Sequence, residues 1–199
     1  MNTTSPSIIL NARRASRAIG TMFFSAFGCA WLILWSYSVF GVTPIVLGVL
    51  VTATIILFSC ALLRYHRYRD AFATVTNSPE RRRTMRVFNI VNAVQWALII
   101  IVANVFPRFG MTSWIMPSII FIVGLHFLPL ARIFSSRPHY VTGSSLMLLA
   151  IAYPLFAQAG ASDPVGCLGA GIILWASAVW GLSTDPTSGT RMIDVPNKR

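Results

Sequence analysis

Acidic residues are nearly missing from this chain: Asp and Glu together number five, against sixteen Lys and Arg. None of the five lies inside an apolar run, which removes paired-carboxylate acid–base chemistry from the interior of those runs. Cysteine is scarce as well. Cys29, Cys60 and Cys167 stand alone, with no CxxC spacing, so neither a zinc site nor a dithiol redox site is expected. They read as small buried hydrophobes. HExxH, GxSxG and P-loop patterns are absent, so no catalytic motif, metal or cofactor is called for. Charge as a whole is low: 11% of residues, where a soluble domain carries about 25%.

Long apolar runs fill the space that charge leaves. Ala18 to Leu63 is uncharged, as are Val87 to Pro107, Gly110 to Ala131, Tyr140 to Ser162 and Pro164 to Thr184. A helix crossing a hydrocarbon core of ~30 Å needs about 20 apolar residues. The first run holds two such helices, divided at Gly41-Val42-Thr43-Pro44, and each other run holds one. The chain therefore reads as an all-α polytopic membrane protein of six helices in three hairpins, at about 18–40, 44–64, 86–107, 113–132, 140–159 and 164–182. Residues 1–17 form an N-terminal segment and 183–199 a polar, flexible tail. The first helix is too long for a signal-peptide core and no small-residue cleavage site follows it. The Cys29 context is a poor lipoprotein box because Phe27 fills a small-residue position.

The net charge of +11 invites a nucleic-acid reading, but position argues against it. Arg13, Arg14 and Arg17 precede the first helix. Arg64, Arg67, Arg69, Arg81, Arg82, Arg83 and Arg86 lie between the second and third, Arg132 and Arg137 between the fourth and fifth, and Arg191, Lys198 and Arg199 in the tail. Only Arg108 falls on the other side. This is the positive-inside pattern, and it puts both termini in the cytoplasm. The preference for Arg over Lys suits a GC-rich bacterial genome, and the expected location is the bacterial inner membrane. The expected partner is a bilayer containing anionic lipid. Thr43-Pro44 and Asp163-Pro164 are helix-start signals, so Asp163 reads as a cap, and Ser78-Pro79-Glu80 is a third. That start sets Arg81, Arg82, Arg83 and Arg86 on the first turns of the third helix, at its positive dipole end, where lipid phosphates would offset them.

His126 is the one ionisable side chain well inside an apolar run. It precedes Arg132 by six residues, which places it roughly 9 Å into the inner half. On the antiparallel third helix, Asn89, Asn92 and Gln95 form one slanted stripe at similar depth, with Trp96 beside them. A hydrogen bond from His126 to Asn92 or Gln95 is the local expectation. Thr142, Ser144, Ser145 and Ser25 arrive near the same end. Pro129 frees the carbonyl of Leu125, next to His126. His66 and His139 fall in cytoplasmic connections, which leaves no second histidine at depth for a bis-histidine haem. Ser144 or Ser145 with His126 would make a nucleophile and base, but no motif supports a hydrolase.

The stretch Gly124-Leu125-His126-Phe127-Leu128-Pro129-Leu130-Ala131, followed by Tyr140-Val141-Thr142-Gly143, resembles patterns in small six-helix bacterial membrane proteins of unassigned activity. The resemblance implies the same fold and carries over no functional residue.

Two function classes follow. One is a small-solute or proton-linked transporter or channel-like protein, with its site at His126, Asn92, Gln95 and Asn89. The other is a non-transporting accessory or lipid-sensing scaffold, working through Arg81, Arg82, Arg83 and Arg86 and the small residues Gly166, Gly169, Ala170 and Gly171. Those small residues permit close helix approach within the bundle or in a homo-oligomer.

Overall fold

The computed structural model describes residues 5–76, 79–134 and 137–184. Six helices follow in order: α1 (Pro6–Phe40), α2 (Pro44–Thr76), α3 (Pro79–Val105), α4 (Ile115–Ile133), α5 (Arg137–Phe156) and α6 (Val165–Ser183). Short 3-10 turns at Phe106–Phe109, Thr112–Trp114 and Gly160–Ser162 complete the connections, and no strand occurs among the described residues. All six helices are long and apolar enough to cross a membrane. The all-α, six-helix reading is therefore what the structure has. The tail from residue 185 onward, with Arg191, Lys198 and Arg199, lies outside the described residues.

The helices do not stop where the apolar runs stop. At 35 residues, α1 continues through Arg13, Arg14 and Arg17, and α2 carries Arg64, Arg67 and Arg69 on its last turns. An α-helix pairs its own backbone groups, so it has no reason to end at a boundary between apolar and charged side chains. Its ends are set by breakers and caps. Gly41, Gly110 and Gly160 adopt φ of 68°, 69° and 57°, the left-handed region where glycine pays no Cβ penalty, and each sits in a connection. Pro44 and Pro79 are first helical residues, as the start signals require. Asp163 works as a cap. Its Oδ1 accepts from Val165 N at 3.0 Å and its Oδ2 from Ala159 N at 3.2 Å, tying the turn to the start of α6.

In space the helices run α2–α1–α6–α5–α4–α3. The middle four share a core built on Phe24, Ile120, Phe127, Leu146, Tyr153 and Leu174, while α2 and α3 form the two edges and bury almost nothing. Two glycine crossings draw the middle four together. Between α1 and α6, a Cβ on Gly28 would stand 3.2 Å from Gly171 O, and one on Gly171 would stand 3.1 Å from Gly28 O. Between α4 and α5, Gly124 and Gly143 reciprocate, each site's Cβ falling 2.8 Å from the other's carbonyl oxygen. Missing Cβ atoms let the backbones approach, and side chains of the facing helices fill the space beside them, Trp175 at Gly28, Leu32 at Gly171 and Met147 at Gly124. Close approach at small residues is how helices associate where no hydrophobic force distinguishes protein from lipid. The small residues of α6 are taken up in the same way inside the bundle. Gly166 lies under the Tyr153 ring, Gly169 against Leu149, and Ala170 is fully buried.

One end of the bundle gathers the arginines. Arg17 Nη1 donates to Thr184 O at 3.2 Å, and Arg64 Nη1 donates to Leu182 O at 2.6 Å and Gly181 O at 3.4 Å. Two guanidinium groups thus satisfy the open carbonyls of α6 and face its negative dipole end. The α4–α5 connection lies at the same end, since His139 stands 5.7 Å from Phe24 between ring centroids.

Candidate functional site

Phe88 on α3 and Phe134 on α4 stand 6.2 Å apart, ring to ring, and pin the register of that antiparallel pair. Seven residues along α3 from Phe88 is Gln95. Seven residues back along α4 from Phe134 is Phe127, the neighbour of His126. Gln95 and His126 therefore stand at one level. Both are half-buried, as is Asn92, whereas Asn89 is exposed. The side of α3 turned to α4 carries Phe88, Val91, Gln95, Ile99 and Val102, a seven-residue pattern of the kind that seats one helix on another.

The layer is brought level but not joined. His126 Nδ1 and Gln95 Oε1 are both buried, and neither has a hydrogen-bond partner. The Val123 carbonyl, one turn back, reaches the imidazole ring without closing a hydrogen bond of good geometry to Nδ1. The expected bond from His126 to Asn92 or Gln95 does not form. The hydroxyls expected at this level have gone elsewhere. Thr142 and Ser177 share a buried hydrogen bond of 2.7 Å between α5 and α6. Ser25 is fully buried and donates to Met22 O at 2.9 Å, while its own carbonyl receives Trp175 Nε1 at 3.2 Å. Ser144 faces outward. Pro129 sits inside an unbroken α4.

His139 corrects the sequence reading. It does not lie in a connection but in the first turn of α5, half-buried among Phe24, Phe127 and Phe134, with ring centroids at 5.7, 6.1 and 6.3 Å. Phe127 is flanked by both histidines, His126 at 4.8 Å and His139 at 6.1 Å. No group of three or more His, Cys, Asp or Glu able to hold a metal occurs among the described residues.

Of the basic cluster at the start of α3, Arg83 and Arg86 are exposed, while the side chains of Arg81 and Arg82 lie outside the described residues. A second basic constellation escaped the sequence reading, which took its members as topological charge. Arg14 on α1 and Leu63, Arg64, Arg67 and Tyr68 on α2 line a cavity of about 350 Å³. The available signal was the spacing Arg64, Arg67, Tyr68, which puts three side chains on one helix face.

No protein-family model matches the chain, and no curated protein or solved structure matches it either.

Proposed function

We propose that this chain is a non-transporting, multi-pass membrane scaffold or accessory protein, threaded with its arginine-rich end in the cytoplasm of a bacterial cell. One observation carries this reading: glycine pairs bring α1 to α6 and α4 to α5 backbone against backbone. The Gly124–Gly143 crossing closes α4 on α5, and His126, half a turn away, stands on the side of α4 toward α3. The buried hydroxyls of Thr21, Ser25, Thr142 and Ser177 are bonded to nearby carbonyls or to each other, while that of Ser36 on α1 has no partner among the described residues. Packing and local polar satisfaction are what a scaffold needs.

A specific observation favours a second reading. His126 Nδ1 and Gln95 Oε1 are unpaired at one level of the α3–α4 hairpin, and a buried polar atom without a partner costs roughly 1–3 kcal/mol unless something satisfies it. A small solute or a proton held there, with Asn92 and Asn89 beside it, would make the chain a transporter or channel-like protein.

Thermal unfolding of the purified protein in detergent, with a panel of small solutes, separates the two. A ligand that binds the folded state alone raises the midpoint by mass action. The scaffold reading expects no solute response in wild type or in His126→Ala. A response to one solute, lost in His126→Ala while the unliganded midpoint holds, would sink it in favour of the second.

A further inference from the structure

Arginine side chains repel one another, so three of them around one cavity call for an explanation. The guanidinium carbon of Arg14 lies 5.4 Å from the centroid of the Tyr68 ring, and that of Arg67 lies 5.9 Å from the same centroid. One ring thus holds cations from two helices. Arg64 completes the wall, already fixed by its bonds from Nη1 to the end of α6. Its Nε and Nη2 make no hydrogen bond among the described residues, so donors remain on a side chain that is held in place. The cavity therefore contains one donor group anchored to another helix, Arg64, beside two guanidinium groups gathered on the Tyr68 ring.

Its depth follows from helix length. A hydrocarbon core of ~30 Å takes about 20 residues. Counted from Pro44, α2 leaves that core near Arg64. Counted back from Phe40, α1 leaves it near Gly20, which puts Arg14 about 9 Å further out. Arg64 therefore marks the boundary, and Arg14, Arg67 and Tyr68 stand in the headgroup zone. Leu63, the one apolar wall, is 71% exposed. A cationic mouth over an apolar floor, at the level where phosphates sit, matches an amphiphile and not a freely soluble anion.

We infer that the cavity between α1 and α2 binds the phosphate of an anionic phospholipid, gripped by Arg14, Arg64 and Arg67, with an acyl chain lying along Leu63. Guanidinium forks match phosphate oxygens in geometry as well as charge. Three converging positive charges favour a net-negative headgroup over a zwitterionic one. Because Arg64 also caps α6, lipid in the cavity stabilises the link between α2 and the end of α6.

The test uses full-length protein in detergent micelles, titrated with phosphatidylglycerol, phosphatidylcholine or inorganic phosphate while the unfolding midpoint is followed. The expected result is a rise with phosphatidylglycerol alone. Arg67→Gln, at an exposed residue whose described contact is the Tyr68 ring, is expected to fold normally and to weaken that response about tenfold. Arg14→Gln adds to the loss, and Arg83→Gln with Arg86→Gln leaves the response intact. Native mass spectrometry of the same set reads retained phosphatidylglycerol directly, and is expected to lose it in the Arg67→Gln protein. An equal rise with inorganic phosphate or phosphatidylcholine overturns the assignment. So does an equal loss in the Arg83 and Arg86 variant, or a wild-type protein that responds to nothing. A solute response dependent on His126 bears on the proposed function and leaves this cavity untouched.

Discussion

Replacing Gly124 by Ala tests whether the backbone crossing of α4 and α5 holds the bundle closed. The added methyl would stand 2.8 Å from Gly143 O, 2.8 Å from Met147 Cγ and 2.9 Å from Met147 N. Ordinary contact begins near 3.4 Å, so the shortfall is 0.5–0.6 Å. Met147 Cγ can swing away, but two of the three obstacles are backbone. The helices must therefore part, and Ile120, Phe127 and Leu146 lose contact with them. Overpacking of this kind costs about 1–3 kcal/mol. Alanine's helix propensity returns at most ~1 kcal/mol, and less where the helices stay formed on unfolding. The net expectation is a loss of about 1–2 kcal/mol. Gly48→Ala is the control: nothing lies within 4 Å of its Cβ position, so it should be neutral or gain up to ~1 kcal/mol. The assay is unfolding by sodium dodecyl sulfate from a mild detergent, followed by tryptophan fluorescence. A Gly124→Ala protein as stable as Gly48→Ala would refute the argument that the crossing is tight.

Three further outcomes follow from the described geometry. In a double-mutant cycle, Thr142→Val and Ser177→Ala should couple by about 0.6 kcal/mol and by no more than ~1.7, because the hydroxyl left by either single change can donate its one proton to its own helix instead, to Pro138 O or Ile173 O; coupling of zero would mean that the 2.7 Å contact stabilises nothing. Gln95→Leu should raise the unfolding midpoint in detergent, equivalent to about 1 kcal/mol, by removing an unpaired buried acceptor; a drop would show that the amide has a partner. Asp163→Ala should cost about 1 kcal/mol and Asp163→Asn much less, since the side chain receives one backbone N–H at the start of α6, from Val165, and one from Ala159 in the connection before it, and equal melting of both variants would remove its role as a cap.

The spans were legible because the thickness of a bilayer dictates how long an apolar run must be, and that constraint acts locally. Asp163 was legible for the same reason: a cap is made with neighbours in sequence. The level match of Gln95 with His126 could be counted from the two arms of one hairpin. Whether the two would bond could not, because that depends on how α3 is rotated against α4. His139 was misplaced because Arg137 beside it marks a water boundary. The chain nevertheless enters α5 there, and the imidazole reaches Phe24 on α1, a neighbour far away in sequence. The glycine pairs Gly28–Gly171 and Gly124–Gly143 and the cavity shared by Arg14 and Arg64 join different helices, and no local pattern announces which small residue or which arginine will meet which.

The spatial order α2–α1–α6–α5–α4–α3 has a consequence for biogenesis. The hairpin made last sits in the middle. While the ribosome is still working, the first two hairpins rest in the bilayer with Gly28 and Gly124 facing lipid, each waiting for a helix not yet synthesised. Insertion of α5 and α6 between them is then a keystone event: it closes both glycine crossings and delivers the α6 carbonyls to Arg17 and Arg64 in one step. A nascent chain released before α5 would leave both glycine crossings open, and one released before α6 would leave Gly28 without Gly171.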